Sequence, residues 1–144
     1  MSSPLVEQPA TRPAAAPVRA VNSSTRELPA TLRRLKGNGF TRFVDLTAVD
    51  YPELPERFEL NYMLYSMATR EWCRVKAWTA GKAPTVSDVF AGANAFEREV
   101  YDMYGVDFEG HPQLRRILMP DDWVGHPLRR DEPLGGEEVE FSAG

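Results

Sequence analysis

A single cysteine, Cys73, serves all 144 residues, so no disulfide can form within the chain. That count also excludes a thiolate zinc or iron–sulfur site built by this chain alone, and a reducing compartment fits it. Histidine is nearly as scarce, with two. No apolar run approaches the roughly 20 residues of a membrane span. Met1 to Pro9 lacks the basic start and apolar core of a secretory signal. There is no GxGxxG, Walker A, CxxC or GxSxG, so no recognised device for a nucleotide, a flavin or a serine nucleophile is visible. Excess positive charge is lacking too: 17 Lys and Arg face 21 Asp and Glu, which argues against a general nucleic-acid binder.

Proline is what the chain has, with 12. Pro4, Pro9, Pro13, Pro17 and Pro29 crowd the start, Pro52, Pro55 and Pro84 are scattered through the middle, and Pro112, Pro120, Pro127 and Pro133 punctuate the end. Three regions follow: a Pro/Ala-rich head over 1–23, a body over 24–108 and a tail over 109–144. The head has no large apolar side chain after Leu5. It cannot bury enough to offset its ordering entropy and is expected to be disordered.

The body carries the periodic patterns. Leu28, Leu32 and Leu35 predict a helix over 27–36, with Pro29 in its first turn and Gly37 at its stop. Strands are expected over 40–49, over 58–64 (where Phe58, Leu60, Tyr62 and Leu64 alternate with Glu59, Asn61 and Met63) and over 72–78, with Cys73, Val75 and Ala77 on one face. Ser87 is expected to cap a turn through Phe90. Asn94 and Glu97 loosely match a capping box opening a second helix. Phe96, Val100 and Tyr104 are its apolar stripe, and Gly105 ends it. The fold class is α+β: a small mixed β-sheet with helices packed on one face, plus an extended irregular C-terminal tail. The tail's prolines forbid regular structure, yet it holds Leu114, Ile117, Leu118, Met119, Trp123 and Leu128. So apolar a segment belongs on a surface, its own body's or a partner's.

Three features carry candidate chemistry. Glu97, Arg98, Glu99 and Asp102 lie on the second helix. They are either a solvated acidic face with Arg98 and Asp102 paired at i, i+4, or carboxylates receiving arginines from the tail or a partner; acid–base catalysis comes third. His111 and His126 each stand between Gly and Pro. Two imidazoles 15 residues apart are too few ligands for a metal, so each is expected to fix a turn by hydrogen bonding. Arg115-Arg116, Asp121-Asp122, Arg129-Arg130 and Asp131-Glu132 alternate in sign, a pattern suited to a protein contact rather than to phosphate but also open to plain solvation.

Phe96-Glu97-Arg98-Glu99-Val100-Tyr101-Asp102-Met103-Tyr104-Gly105, with Val106 to Pro112, Leu114 to Pro120 and Trp123 to Asp131, closely resembles the signature of the C subunit (the 30 kDa subunit family) of respiratory NADH:quinone oxidoreductase, complex I. Leu46 to Pro52 and Arg57 to Leu60 are similar as well. The resemblance spans about residues 27–133. It implies a cofactor-less, non-catalytic structural subunit of the peripheral arm of a proton-translocating enzyme. The chain itself would be a peripheral membrane protein on the cytoplasmic face of the inner membrane. The partners implied are the hydrogenase-like D subunit, near the quinone site, and the iron–sulfur subunits. FMN and iron–sulfur clusters would reside on other subunits, and NADH and quinone would be met only through the holoenzyme. Arg98, Arg115, Arg116, Arg129 and Arg130 are candidate charge-paired anchors, with Glu97, Glu99, Asp102 and Asp131 their acceptors and Ile117, Trp123 and Leu128 apolar anchors. Many family members have a further helix and strand where this chain has its head, so part of the sheet is expected to be missing. A Lys is common at the position of Arg130 and an aromatic residue at that of Glu132. Rival readings are the equivalent subunit of an F420H2 dehydrogenase or energy-converting hydrogenase, a free-standing adaptor, and a small hydrolase using His111 or His126.

Overall fold

A computed structural model describes residues 18–131. Positions 1–17 of the head and 132–144 of the tail lie outside the described residues. In chain order the elements are β1 (Val18–Asn22), α1 (Leu28–Gly37), β2 (Arg42–Asp50), β3 (Phe58–Ser66), β4 (Glu71–Thr79), β5 (Lys82–Pro84), α2 (Ala93–Tyr104) and β6 (Asp107–Glu109). The main sheet runs β1-β4-β3-β2, with β5 and β6 forming a second, two-stranded sheet. The two helices pack on one face of the main sheet, as the α+β reading expects.

β3 and β4 form as their alternation dictates. Leu60, Tyr62 and Leu64 sit opposite Ala77, Val75 and Cys73, and all six are buried beneath the helices. α1 buries Leu28, Thr31, Leu32 and Leu35, its apolar stripe. The chain then turns at Gly39, whose φ of 106° is open to few other residues. The opposite face of the sheet carries Tyr65 stacked on Trp72, Tyr51 on Trp78, and the Lys76–Glu59 ion pair at 2.9 Å.

Three strands escape the sequence patterns. Composition assigns Val18 to Asn22 to a disordered head, yet this segment pairs parallel to β4 from Trp72 to Lys76. Its side chains are mostly exposed, so backbone pairing rather than an apolar face places it. β5 and β6 have three residues each and pair in parallel, with Ala83 and Phe108 entering the core.

β2 departs from strict alternation. A register shift between Phe43 and Asp45 marks a bulge at Val44. It turns Phe43 inward opposite Leu64, although Leu46 and Ala48 keep the opposite parity. Phe43 then meets Tyr62, Phe90 and Phe96, with ring centroids 5.6–6.3 Å apart. One aromatic ring thus joins the sheet, the β5–α2 loop and α2. Phe43→Ala is expected to destabilise the chain by about 3 kcal/mol in urea unfolding; a cost below about 1 kcal/mol would show that the aromatic cluster collapses around the gap.

Candidate functional site

The last four carbonyls of a helix have no partner within it. In α2 they are met by Gly105 and by the tail, which lies across the helix end as a strap. The Tyr101 carbonyl accepts the Gly105 N–H at 2.7 Å. The Asp102 carbonyl accepts Arg116 Nη1 at 3.1 Å and His126 Nδ1 at 3.0 Å. The Met103 carbonyl accepts the Leu128 N–H at 2.9 Å, and the Tyr104 carbonyl accepts Arg129 Nε at 2.7 Å. Two guanidiniums therefore sit at the electronegative end of the helix, where cations are favoured.

The Asp102 side chain is the other half of this junction. It is fully buried, and its Oδ1 accepts Arg116 Nη1 at 2.6 Å. Its Oδ2 accepts three successive backbone N–H groups, of Ile117, Leu118 and Met119, at 3.1, 2.6 and 2.8 Å. Arg116 also donates to the Gly125 carbonyl at 2.6 Å, tying the two Gly-His-Pro turns together. Burial alone would raise the Asp102 pKa, but the Met119 N–H, Arg116 and the two further N–H groups outweigh it and hold the carboxyl below its ordinary value.

Gly105 makes the junction possible. Its φ is 80°, and a β-carbon there would lie 2.7 Å from Arg129 Nη2 and 2.8 Å from His126 Cδ2. Both the turn and the close approach of the strap need a residue without a side chain.

A second junction holds the far end. Asp50, buried at the end of β2, accepts Arg57 Nε and Nη2 at 2.7 Å each and the Arg130 N–H at 2.9 Å. Arg57 reaches on to Asp131 at 3.3 Å. The Arg57 hydrogen bond leads in holding the Asp50 carboxyl below its usual range. Arg57 and Arg129 both lie over the Phe58 ring, 5.0 and 5.6 Å from its centroid. Neither Asp50 nor Arg57 is among the sequence candidates. The signal available is an acid and an arginine flanking a Pro-rich loop, which says nothing of what else they hold.

The other candidates fall as follows. Arg98 does not pair with Asp102; it donates to the carbonyls of Arg115 and Arg116 at 3.1 and 2.9 Å. Arg115 meets Asp121 on the exposed surface at 3.2 Å, a pair of little energetic weight. Arg130 contributes its backbone N–H, and its side chain is exposed. Glu99 is half-buried, lining a hollow with Leu46, Val100 and Leu128. His111 fixes a turn: its Nδ1 accepts the Gln113 N–H at 2.9 Å, and its Nε2 lies 3.1 Å from the Asn94 carbonyl. Asn94 caps nothing, because α2 begins one residue earlier, at Ala93, without a side-chain cap. Glu97 is instead buried, accepting from Thr85 Oγ1 at 2.5 Å and from the Val86 N–H at 2.7 Å. Thr85, not Ser87, caps the turn before Phe90, by accepting the Ser87 N–H.

Beside these contacts the strap leaves several apolar side chains exposed. Ile117 is 37% exposed, Leu118 60%, Trp123 38%, Val124 90% and Leu128 52%. Among the described residues no group of three or more His, Cys, Asp or Glu is placed to hold a metal, and no helix is long and apolar enough to cross a membrane.

The family described as respiratory-chain NADH dehydrogenase, 30 Kd subunit, matches residues 21–138. The chain belongs to this family. It is 50% identical over 104 residues to the NADH-quinone oxidoreductase C/D 2 subunit of Aquifex aeolicus, covering 71% of this chain and 18% of that protein. It is 50% identical over 107 residues to the NADH-quinone oxidoreductase C subunit of Rhodobacter capsulatus, covering 73% and 54%. The chain spans about half the length of most of the curated relatives of this type that it matches. Among solved structures, a trypsin-resistant fragment of Nqo5 superposes with a TM-score of 0.63 at 29% identity, over 76% of this chain and 96% of the fragment. A chain of a membrane-bound sulfane sulfur reductase, an archaeal respiratory membrane complex, gives 0.77 at 25% identity, over 96% and 89%.

Asp102→Asn removes the charge that Arg116 and three N–H groups face, and is expected to cost about 3–5 kcal/mol in urea unfolding, because a largely buried guanidinium loses its partner. The depressed Asp102 carboxyl contributes stability present above its unfolded value of 3.8 and lost as pH falls through the lower folded value. Acid unfolding of Asp102→Asn should therefore be shallower below pH 3.8 than that of the parent. Gly105→Ala should cost more than the roughly 1–2 kcal/mol of left-handed strain alone, because the strap must also shift; a cost within that range would show that Arg129 and His126 yield freely.

Proposed function

We propose that this chain is a cofactor-less structural subunit of the peripheral arm of a proton-translocating NADH:quinone oxidoreductase. In this reading it packs against the D subunit near the quinone site and supports NADH-to-quinone electron transfer by the holoenzyme without an active site of its own. The observation that carries the reading is the strap's division of labour: several of its polar groups hold α2 and β2, while Leu118, Trp123, Val124 and Leu128 remain exposed. A rigidly seated irregular segment with an outward apolar row has the composition of an interface centre, aromatic and aliphatic with a polar rim. The Aquifex aeolicus relative is named as a C/D subunit, which supports the D subunit as the neighbour. Iron–sulfur subunits of the arm are the further partners, and the chain is a peripheral subunit on the cytoplasmic face of the inner membrane.

In this role Arg98, Arg116, Arg129, His111 and His126 position the strap. Ile117, Trp123 and Leu128 are the apolar contacts, and Arg115, Arg130 and Asp131 form a charged rim. Glu97, Glu99 and Asp102 serve within the chain rather than as acceptors for a partner. The likeness to the archaeal respiratory complex favours a second reading, the equivalent subunit of a different respiratory membrane complex. Mass spectrometry of the partners retained with the tagged chain from detergent-solubilised membranes separates the two: NADH-binding flavoprotein subunits support the first reading, and their absence beside a hydrogenase-like large subunit supports the second.

Trp123→Asp with Leu118→Asp is expected to leave the isolated chain's unfolding midpoint nearly unchanged, since exposed substitutions move stability by about 0.5 kcal/mol or less. It should remove most of the chain from the assembled complex on native gels. Full assembly of the double variant would refute the docking role of this row.

A further inference from the structure

Glu97 is a fully buried carboxyl with no arginine or lysine in ion-pair reach among the described residues; its nearest basic group is His111, with Nε2 3.8 Å from Oε1. The His111 Nδ1 accepts the Gln113 N–H at 2.9 Å, and its Nε2 faces the Asn94 carbonyl at 3.1 Å.

The loop side of Glu97 is a chain of hydroxyls. Thr85 Oγ1 lies 2.5 Å from Glu97 Oε1 and 2.9 Å from Ser87 Oγ, and also accepts the Ser87 N–H at 3.1 Å. A hydroxyl has one hydrogen to give. When Glu97 is neutral, its own O–H donates to Thr85, and Thr85 donates to Ser87. When Glu97 is ionised, Ser87 donates to Thr85, and Thr85 donates to Glu97. The two states of the carboxyl thus run the same chain in opposite directions, ending at the half-buried Ser87. From β3, the Tyr62 hydroxyl sits in the field of Glu97, buried and without a hydrogen-bond partner among the described residues. The carboxylate of Asp88, in the loop, adds a repulsive charge.

We infer that Glu97 is a proton-binding site whose occupancy sets the direction of the Ser87–Thr85–Glu97 hydrogen-bond chain, and through it how firmly α2 holds the β5–α2 loop. On loss of the proton to water, the buried carboxylate keeps the Val86 N–H and the Thr85 hydroxyl but gains no cation. Burial is the main cause that pushes this carboxyl up to about 7 from 4.5, against the Thr85 and Val86 hydrogen bonds. The folded chain therefore holds a proton that the unfolded chain has released between those values. Its contribution to stability is whole below pH 4.5 and is lost as pH rises through about 7, the reverse of Asp102. This group joins the β5–α2 loop to a helix through a carboxyl whose burial becomes costly as it ionises within the physiological range.

The test uses the full chain with glutamate carboxyls labelled with carbon-13, titrated by NMR, alongside amide hydrogen exchange corrected for its intrinsic pH dependence. One glutamate resonance should titrate near pH 7 and be missing from Glu97→Gln. Protection of residues 86–90 should fall several-fold with the same midpoint in the parent and stay level in the variant. If every glutamate titrates near 4.5, or protection is level across the midpoint in the parent, the inference is overturned. Should Glu97→Gln fail to fold, Thr85→Val serves: removing the hydroxyl that favours the ionised form should move the midpoint higher, and an unmoved midpoint counts against the chain. No partner is needed, so the result is independent of the docking reading.

Discussion

The carbonyl end of α2 is the constraint around which the rest is arranged. A helix that stops inside a small body must find donors for its last carbonyls or leave them unsatisfied, at about 1–3 kcal/mol for each buried group. Here the donors come from a segment that leaves the helix by way of β6 and returns across its end. His126, Leu128 and Arg129 each supply one, and Arg116 supplies another. The Asp102 carboxylate completes the exchange by taking three N–H groups from that same segment. The strap needs no regular structure because its backbone finds its partners in side chains of the helix.

The same logic explains why the body can be small. The core is shallow: a four-stranded sheet with two helices on a single face, a two-stranded sheet beside it, and an aromatic cluster around Phe43. Strap and loop add order at the two points where β2 and α2 end, through Asp50 and Asp102. Both acids are buried, both meet an arginine, and both also accept backbone N–H groups from the strap. Pairing with fixed main-chain donors as well as with a cation is what makes a buried carboxylate tolerable.

Elements with a repeating apolar period are legible in the sequence. α1, β3 and β4 lie within a residue or two of where their patterns put them, and Gly105 ends α2 in the left-handed turn that its position implies. β1 is not legible, because its exposed side chains leave no period to detect. The bulge at Val44 hides the inward turn of Phe43, since a single extra residue reverses the parity on which alternation rests. The acids and arginines of 97–131 stand out as a set, but their pairing does not. Charge order does not reveal that Arg98 prefers two carbonyls to Asp102, or that Glu97 turns inward. Asn94 three residues before Glu97 imitates a capping box, and the helix's start at Ala93 shifts both residues out of that role.

The strap's dependence on α2 has a consequence for its own seating. Asp102 can gather Ile117, Leu118 and Met119, and the carbonyls of Asp102, Met103 and Tyr104 can be met by the later turn, only when the last turn of α2 already exists. The far attachment, Arg130 to Asp50, spans 80 residues and requires β2 as well. Seating of the strap is thus conditional on both elements, and its longest tie closes the kind of loop that costs most entropy to form. Whatever loosens the last turn of α2 or the end of β2 loosens the exposed apolar row as well.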